Sequence, residues 1–298
     1  AADIDKMARE MGAPGQDLSK GMVLGHEYVG EIVAFGPDTA QSLKIGDRVV
    51  SVPFLLRDGA PIAIGANVEV DGAYAEYFLG TEALLLAIPE DVPDAAAALV
   101  EPLGIAVHAV AKSLLDGDSH ACIILGCGPI GLAIAAVLKM RGVTNIVASD
   151  FSPRRRSLAL AMGERAAVHP RDETPFGHIP AGKPAIIFDC TGVRGVLAQA
   201  IIEAPIGSQI VVAGIPQGED SFNPMIAIAK ELNLQFVLYY APEEFAEALG
   251  AIASGKLDWR PLVTGTVGLD GIAAAFAALE DPEAHAKIMI DPWSDARL

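Results

Sequence analysis

The chain has 298 residues, 52% of them hydrophobic and 20% charged, with a formal net charge of −17 and a pI near 4.6. This is longer than one core usually spans, so two domains are expected. So acidic a chain repels phosphate backbones and anionic bilayers, which argues against nucleic acid and membrane as partners.

Its three cysteines, Cys122, Cys127 and Cys190, make no disulfide framework and fit a reducing, cytoplasmic setting. No uncharged apolar run reaches spanning length, and no basic-then-apolar signal pattern opens the chain.

In chain order, Asp5–Met11 has helical potential, and Tyr28 to Phe35 alternates like a strand that "GPD" at 36–38 turns. "KIGDRVV" at 44–50 reads as a turn feeding another strand, and 51–72 reads as loop-rich. "GAYAEYFLG" at 72–80 and "ALLLAIP" at 83–89 read as strands. Short turn-bounded strands of this kind predict a small barrel. A helix is expected from Asp94, with Pro102 interrupting the pattern before a second run to Leu115. "DGDS" at 116–119 reads as a turn.

From residue 120 to 240 apolar strands alternate with helices. The strands are "ACIIL", "NIVAS", "PAIIFDC" and "SQIVVAG"; helices are expected at Ile130–Arg141 and across "SPRRRSLALAMG". That alternation predicts an α/β domain, a doubly wound parallel sheet covered on both faces. A further helix, "APEEFAEALGAIASGKL", and a short closing strand, "KIMI", complete the chain.

"LGCGPIG" at 125–131 fits G-x-G-x-x-G at Gly126, Gly128 and Gly131. With 30 glycines present the pattern alone is weak. Its context is stronger: a strand precedes it, a helix follows through Pro129 and Ile130, and Asp150 ends the next strand 19 residues after Gly131. This is the spacing of a dinucleotide-binding unit. A carboxylate at Asp150 accepts ribose hydroxyls and repels a 2′-phosphate, which favours NAD over NADP. Arg154, Arg155 and Arg156 read as a solvated first helical turn, although an arginine there can also pair with a phosphate or stack on adenine.

His26 and Glu27 stand side by side in "GMVLGHEYVGEI". Neighbours on an extended strand point to opposite faces, so both reach one metal only if the chain bends, for which Gly25 is suited. Glu101 is a further candidate ligand, and no cysteine lies in residues 1–121. On the residues alone, a metal site and the polar edge of a strand both stay open.

"GHEYVGEIVAFG", "LKIGDRVV", "EPLGIAVHAV", "GCGPIG", "DCTG" and "PLVTGTVGLDGIAAAF" occur in an order and at spacings that carry a resemblance. The chain resembles the medium-chain zinc-dependent alcohol dehydrogenases, and within them the sorbitol, threonine and butanediol dehydrogenase branch. The resemblance implies a GroES-like β-barrel catalytic domain, residues 1–117 and 241–298, around an inserted Rossmann domain, residues 118–240. It implies hydride transfer between a secondary alcohol or polyol and NAD, with small alcohol and ketone substrates and a homodimer or homotetramer.

Position by position, it implies that His26, Glu27 and Glu101 lie at the zinc, as ligands or next to them, and that Asp3 orients the zinc-binding histidine. The family's first ligand opens a "CG(S/T)D" motif; "AADI" resembles the rest of it, which puts that cysteine directly before Ala1. Ala2 replaces the usual proton-relaying Ser or Thr. Residues 51–100 hold no cysteine, so one catalytic zinc and no structural zinc are expected. Thr191, Gly214 and Ile215 match cofactor-side positions. Cys127 and Cys190 read as structural, and His108 as a packed helix residue. Tyr239 and Tyr240 match positions near the substrate, with a core or interface role equally open. Two other readings are a zinc-free quinone or enoyl reductase and a non-catalytic dinucleotide-binding protein.

Overall fold

Four strands with no exposed residue form the heart of a six-stranded parallel sheet. They are β6 (Ala121–Leu125), β7 (Ile146–Ser149), β9 (Ala185–Asp189) and β10 (Gln209–Val212); shorter β8 (Ala166–Val168) and β11 (Asn233–Phe236) form the edges. The order β11-β10-β9-β6-β7-β8 is that of a Rossmann sheet, with its switch point between β6 and β9. Continuous burial explains why these strands read as unbroken apolar runs rather than alternating ones. The structure, a computed structural model, describes residues 5–6, 9, 15–116, 120–216 and 218–298.

The chain divides into two compact units. The first comprises Ala1–Glu101, Gly265–Phe276 and Met289–Leu298; the second comprises Pro102–Thr264 and Ala277–Ile288. The division falls inside a helix, earlier along the chain than the expected domain boundary at 117.

In the first unit, β1 (Gly30–Glu31), β2 (Arg48–Ser51) and β5 (Leu85–Ala87) form an antiparallel sheet in the order β1-β2-β5. β3 (Phe54–Arg57) and β4 (Ala60–Ala63) form a hairpin. Its turn residues Asp58 and Gly59 both have positive φ, +52° and +78°. The Asp-Gly pair supplies what such a turn needs, so the expected loop-rich stretch at 51–72 contains a short hairpin. Tyr28, Ile64 and Val70 make a small core in this unit, with Phe78 edge-on to the Tyr28 ring at 4.5 Å.

Two expected strands here are corrected. Tyr28–Phe35 yields only the two residues of β1, which pair Gly30 with Val49 and Glu31 with Arg48. Beyond them only Ile32 continues the pairing, through Asp47 and Gly46. Residues 72–80 form no strand. The amides of Gly72, Ala73 and Tyr74 instead donate to the carbonyls of Val23, Gly25 and Leu24.

Helix α1 (Asp94–Ala97) is followed, after a break at Ala98–Leu99, by α2 (Val100–Ala111). Pro102 does not interrupt the helix. It is the third residue of α2, where the missing N–H has no intrahelical partner to lose. Together α1 and α2 are the one stretch, Asp94–Ala111, among the described residues that is long and apolar enough to span a bilayer. Two-thirds of it is buried inside the protein, as a core helix of a globular fold would be.

In the second unit, α3 (Pro129–Met140) follows β6, α4 (Pro153–Met162) follows β7, and α5 (Val196–Glu203) follows β9. The short α6 (Pro224–Ala229) follows β10, and α7 (Pro242–Ala253) follows β11. Helix α8 (Ile272–Leu279) lies between the closing strands β12 (Gly265–Val267) and β13 (Ile288–Ile290), which pair with each other. His108 sits in α2 as a packed residue, its Nδ1 2.8 Å from Glu244 Oε2. Tyr240 stacks on Phe245 and lies over Gly104, while Tyr239 is exposed with a φ of +60°.

Candidate metal and dinucleotide sites

The first site is in the first unit. His26, Glu27 and Glu101 each place a ligand atom within 4.8 Å of the others, His26 exposed, Glu27 half-buried and Glu101 buried. The bend that brings the two neighbours together is at Gly25, whose φ is +97°. A side chain at Gly25 would put its Cβ 2.6 Å from the Tyr74 ring. A Cβ at Gly65 would lie 2.2 Å from Gly25 O, and one at Gly72 2.3 Å from Leu24 O. Residues 23–25 are therefore clamped main chain to main chain, and Tyr28, two residues beyond His26, plugs into the core. Glu101 comes from the first turn of α2, between Val100 and Leu103, both fully buried.

One imidazole and two carboxylates suit zinc, whose ligands are nitrogen, sulfur and oxygen donors. Asp3, the expected orienting carboxylate, and Ala2 lie outside the described residues.

The second site is at the carboxyl end of β6 and β9. Gly126 turns with a φ of +91°, and a Cβ there would meet Thr191 at 3.0 Å. A Cβ at Gly131 would lie 1.9 Å from Gly126 O, so only glycine lets α3 start against the loop. A Cβ at Gly128 would meet nothing within 4 Å apart from its own chain neighbours. That leaves open space at the N-cap of α3, where unpaired N–H groups and the helix dipole favour an anion. Pro129 takes the first helical position.

Asp150 directly follows β7, its carboxylate accepting from Cys127 N–H and Ser152 N–H, both at 2.8 Å. Arg155, in the first turn of α4, has its Nε buried with no hydrogen-bond partner. An open cradle of glycines, a fixed carboxylate and an orphaned guanidinium nitrogen together fit a dinucleotide.

A cavity of about 640 Å³ adjoins this loop. Ile130, Thr191, Gly214 and Ile215 line it, as do Cys190 and Arg194, which sequence reasoning did not assign to it. Sequence reasoning also missed Asp189, which organises the cavity wall. Its Oδ1 accepts from Thr191 N–H at 3.0 Å and Thr191 Oγ1 at 2.8 Å. Its backbone oxygen accepts from the amides of Ala213 and Gly214. Burial pushes the Asp189 carboxyl up and the Thr191 bonds pull it back. The signal for it was a lone acid closing an apolar strand in "IIFDC".

Burial, with Asp150 and Glu164 nearby, drives the Cys127 thiol far above its ordinary value, and burial does the same to Cys190. Neither is a reactive thiolate.

Comparison with known proteins adds to this geometry. A family profile described as "Zinc-binding dehydrogenase" matches residues 129–254, and one described as "Alcohol dehydrogenase GroES-like domain" matches residues 2–90. (R,R)-butanediol dehydrogenase of Bacillus subtilis strain 168 is 30% identical over 283 residues, covering 91% of this chain and 81% of that protein. The crystal structure of 2R,3R-butanediol dehydrogenase from Bacillus subtilis superposes with a TM-score of 0.81 at 30% identity, covering 91% of this chain and 81% of that one. A probable D-xylulose reductase A of Aspergillus fumigatus is 31% identical over 289 residues, 90% of this chain and 80% of that protein. A short chain alcohol dehydrogenase from Escherichia coli CFT073, solved with NADH, has a TM-score of 0.79 at 25% identity, covering 89% and 82%.

Proposed function

The chain belongs to the zinc-dependent medium-chain alcohol dehydrogenase family, and we propose that it transfers a hydride between a secondary alcohol or polyol and NAD at one catalytic zinc. The observation that carries this reading is the convergence of His26, Glu27 and Glu101 to within 4.8 Å. The profile matches at 2–90 and 129–254 support a catalytic domain of residues 1–117 and 241–298 around a Rossmann domain of residues 118–240.

His26, Glu27 and Glu101 would hold the metal. When bound, zinc supplies Lewis acidity toward an alcohol oxygen, and NAD supplies the hydride acceptor. The remaining work falls to the protein's own residues. Gly25, Gly65 and Gly72 fix the bend that presents the two neighbouring ligands. Gly126, Gly128 and Gly131 leave room for a pyrophosphate at the N-terminus of α3, assisted by Pro129 and Ile130. Asp150 accepts the adenosine ribose hydroxyls with the lone pairs that Cys127 and Ser152 leave free, and Arg155 Nε offers an unused donor. The main chain of Thr191, Gly214 and Ile215 borders the space for the rest of the cofactor. Thr191 Oγ1 already donates to Asp189 and accepts from Val193 N–H at 3.2 Å, so its hydroxyl braces the wall. A cytoplasmic homodimer or homotetramer acting on small alcohols and ketones completes the proposal.

The test is metal analysis of the purified protein together with NADH formation across a panel of secondary alcohols and polyols. About one zinc per chain is expected, with turnover lost and NADH binding kept in His26→Ala and Glu101→Ala. Hydride transfer to quinones or enones without zinc would overturn the proposal.

A further inference from the structure

Three consecutive cations in the first turn of a helix oppose its dipole, which favours anions there. The first turn of α4 carries Arg154, Arg155 and Arg156 and no acidic residue. The structure gives the three arginines different environments. Arg154 is exposed, and its backbone N–H reaches Glu283 Oε2 at 3.3 Å. Arg155 keeps a buried Nε without a partner. Arg156 turns back instead. Its Nη1 donates to the carbonyl of Asp150 and to the carbonyl of Phe151, each at 2.8 Å.

Those two carbonyls belong to the turn that leaves β7. One amino group therefore ties the peptide units on both sides of Phe151. The Asp150 carboxylate is held from the other direction, by Cys127 N–H and Ser152 N–H at 2.8 Å. Main chain and side chain of Asp150 are thus fixed independently.

We propose that Arg156 is a positioning residue for the dinucleotide: by clamping the Asp150–Phe151 turn it keeps the Asp150 carboxylate aimed at the adenosine ribose, and it tunes the preference for NAD over NADP without touching either. This rests on the reading of Asp150 as the ribose-binding residue. Bidentate pairing with a phosphate needs two guanidinium N–H groups presented together. Arg156 commits Nη1 to two main-chain oxygens, so its guanidinium is anchored to the turn and the Nη1–Nη2 pair is not presented to a 2′-phosphate.

The experiment compares wild type, Arg156→Met and Arg156→Lys. NADH and NADPH binding are followed by fluorescence titration, and steady-state rates are measured with NAD and NADP. R156M is expected to raise Kd for NADH and KM for NAD about tenfold, with kcat at saturating NAD within about twofold of wild type. Binding of NADPH is expected to change little, so the NAD preference narrows by the same factor. R156K is expected to recover much of the loss, because one ammonium can donate to both carbonyls.

A KM for NAD that stays within about twofold in R156M overturns the proposal. So does a selective loss of NADPH binding, which would make Arg156 a phosphate ligand. A fall in kcat and thermal stability without rescue by lysine also overturns it, as a merely structural role. Should R156M not fold, Arg156→Gln carries the same comparison. Failure of the wild type to bind NADH would remove the underlying reading instead, which keeps the two failures distinct.

Discussion

The Cys127 amide donates to Asp150 Oδ2 at 2.8 Å, so the residue proposed to distinguish ribose from ribose phosphate also braces the glycine loop. Asp150→Ser removes both actions. NADP activity is expected to rise relative to NAD, while affinity for both cofactors falls about three- to tenfold. Titration of the variant with NADH and NADPH checks this; an unchanged cofactor ratio would count against Asp150 as the ribose ligand.

Gly128 and Gly131 separate binding from folding. A Cβ at Gly128 meets no protein atom within 4 Å, whereas one at Gly131 lies 1.9 Å from Gly126 O. Gly128→Ala is expected to melt within about 2 °C of wild type, since the added methyl enters open space at a φ that alanine adopts, but to bind NADH at least tenfold more weakly. Gly131→Ala is expected to lose several kcal/mol of stability, as overpacked core substitutions do. Thermal melts paired with NADH titrations distinguish the two outcomes.

Glu164 is buried with neither carboxylate oxygen hydrogen-bonded to another residue, and burial pushes its carboxyl up to about 7, with its own backbone N–H and then Lys139 pulling the other way. The folded state therefore holds this proton more tightly than the unfolded chain, where a glutamate titrates near its ordinary value of 4.5. The stability it contributes is full below that unfolded value and is lost as pH rises to about 7. Glu164→Gln is expected to match wild type near pH 4.5 and to exceed it by roughly 2–3 kcal/mol near pH 8. Urea unfolding of both proteins across that range checks the sign, and a constant difference would refute it.

Lys230 closes the end of α5. Its Nζ donates to the carbonyls of Ile201, Ile202 and Ala204 at 3.2, 2.5 and 2.8 Å. These are acceptors that a helix terminus leaves unpaired. Lys230→Met keeps the apolar stem and is expected to cost about 1–2 kcal/mol, with NAD-dependent kcat and KM unchanged at low temperature. Chemical denaturation alongside steady-state kinetics measures both.

The second unit was legible because each central strand is buried on both faces and writes itself as an apolar run. Residues 121–125 are strand from the first to the last residue of "ACIIL". The glycine loop announced itself by its position between β6 and α3. The first unit was less legible. Its strands are two to four residues long, and outside the β3–β4 hairpin the partners of β1, β2 and β5 lie well over ten residues away. Residues 72–74 alternate like a strand, yet they pair with the bend at 23–25.

His26 and Glu101 lie 75 positions apart, and no local periodicity links them; only the family resemblance put them at one site. The arginine run shows a related limit. Three identical side chains read alike, and only the return of Arg156 onto Asp150 and Phe151 tells them apart.

The glycine clamp around residues 23–25 has a consequence for how this protein tolerates change. The segment preceding His26 is docked through carbonyls and amides, and the identities of Met22, Val23 and Leu24 do not enter those bonds. Side chains there can be exchanged without relocating the residues proposed to hold the metal. Gly25, Gly65 and Gly72 have no such latitude, because any added carbon enters space held by main chain or by the Tyr74 ring. Tolerance of substitution and intolerance of it thus alternate within a few positions of one segment.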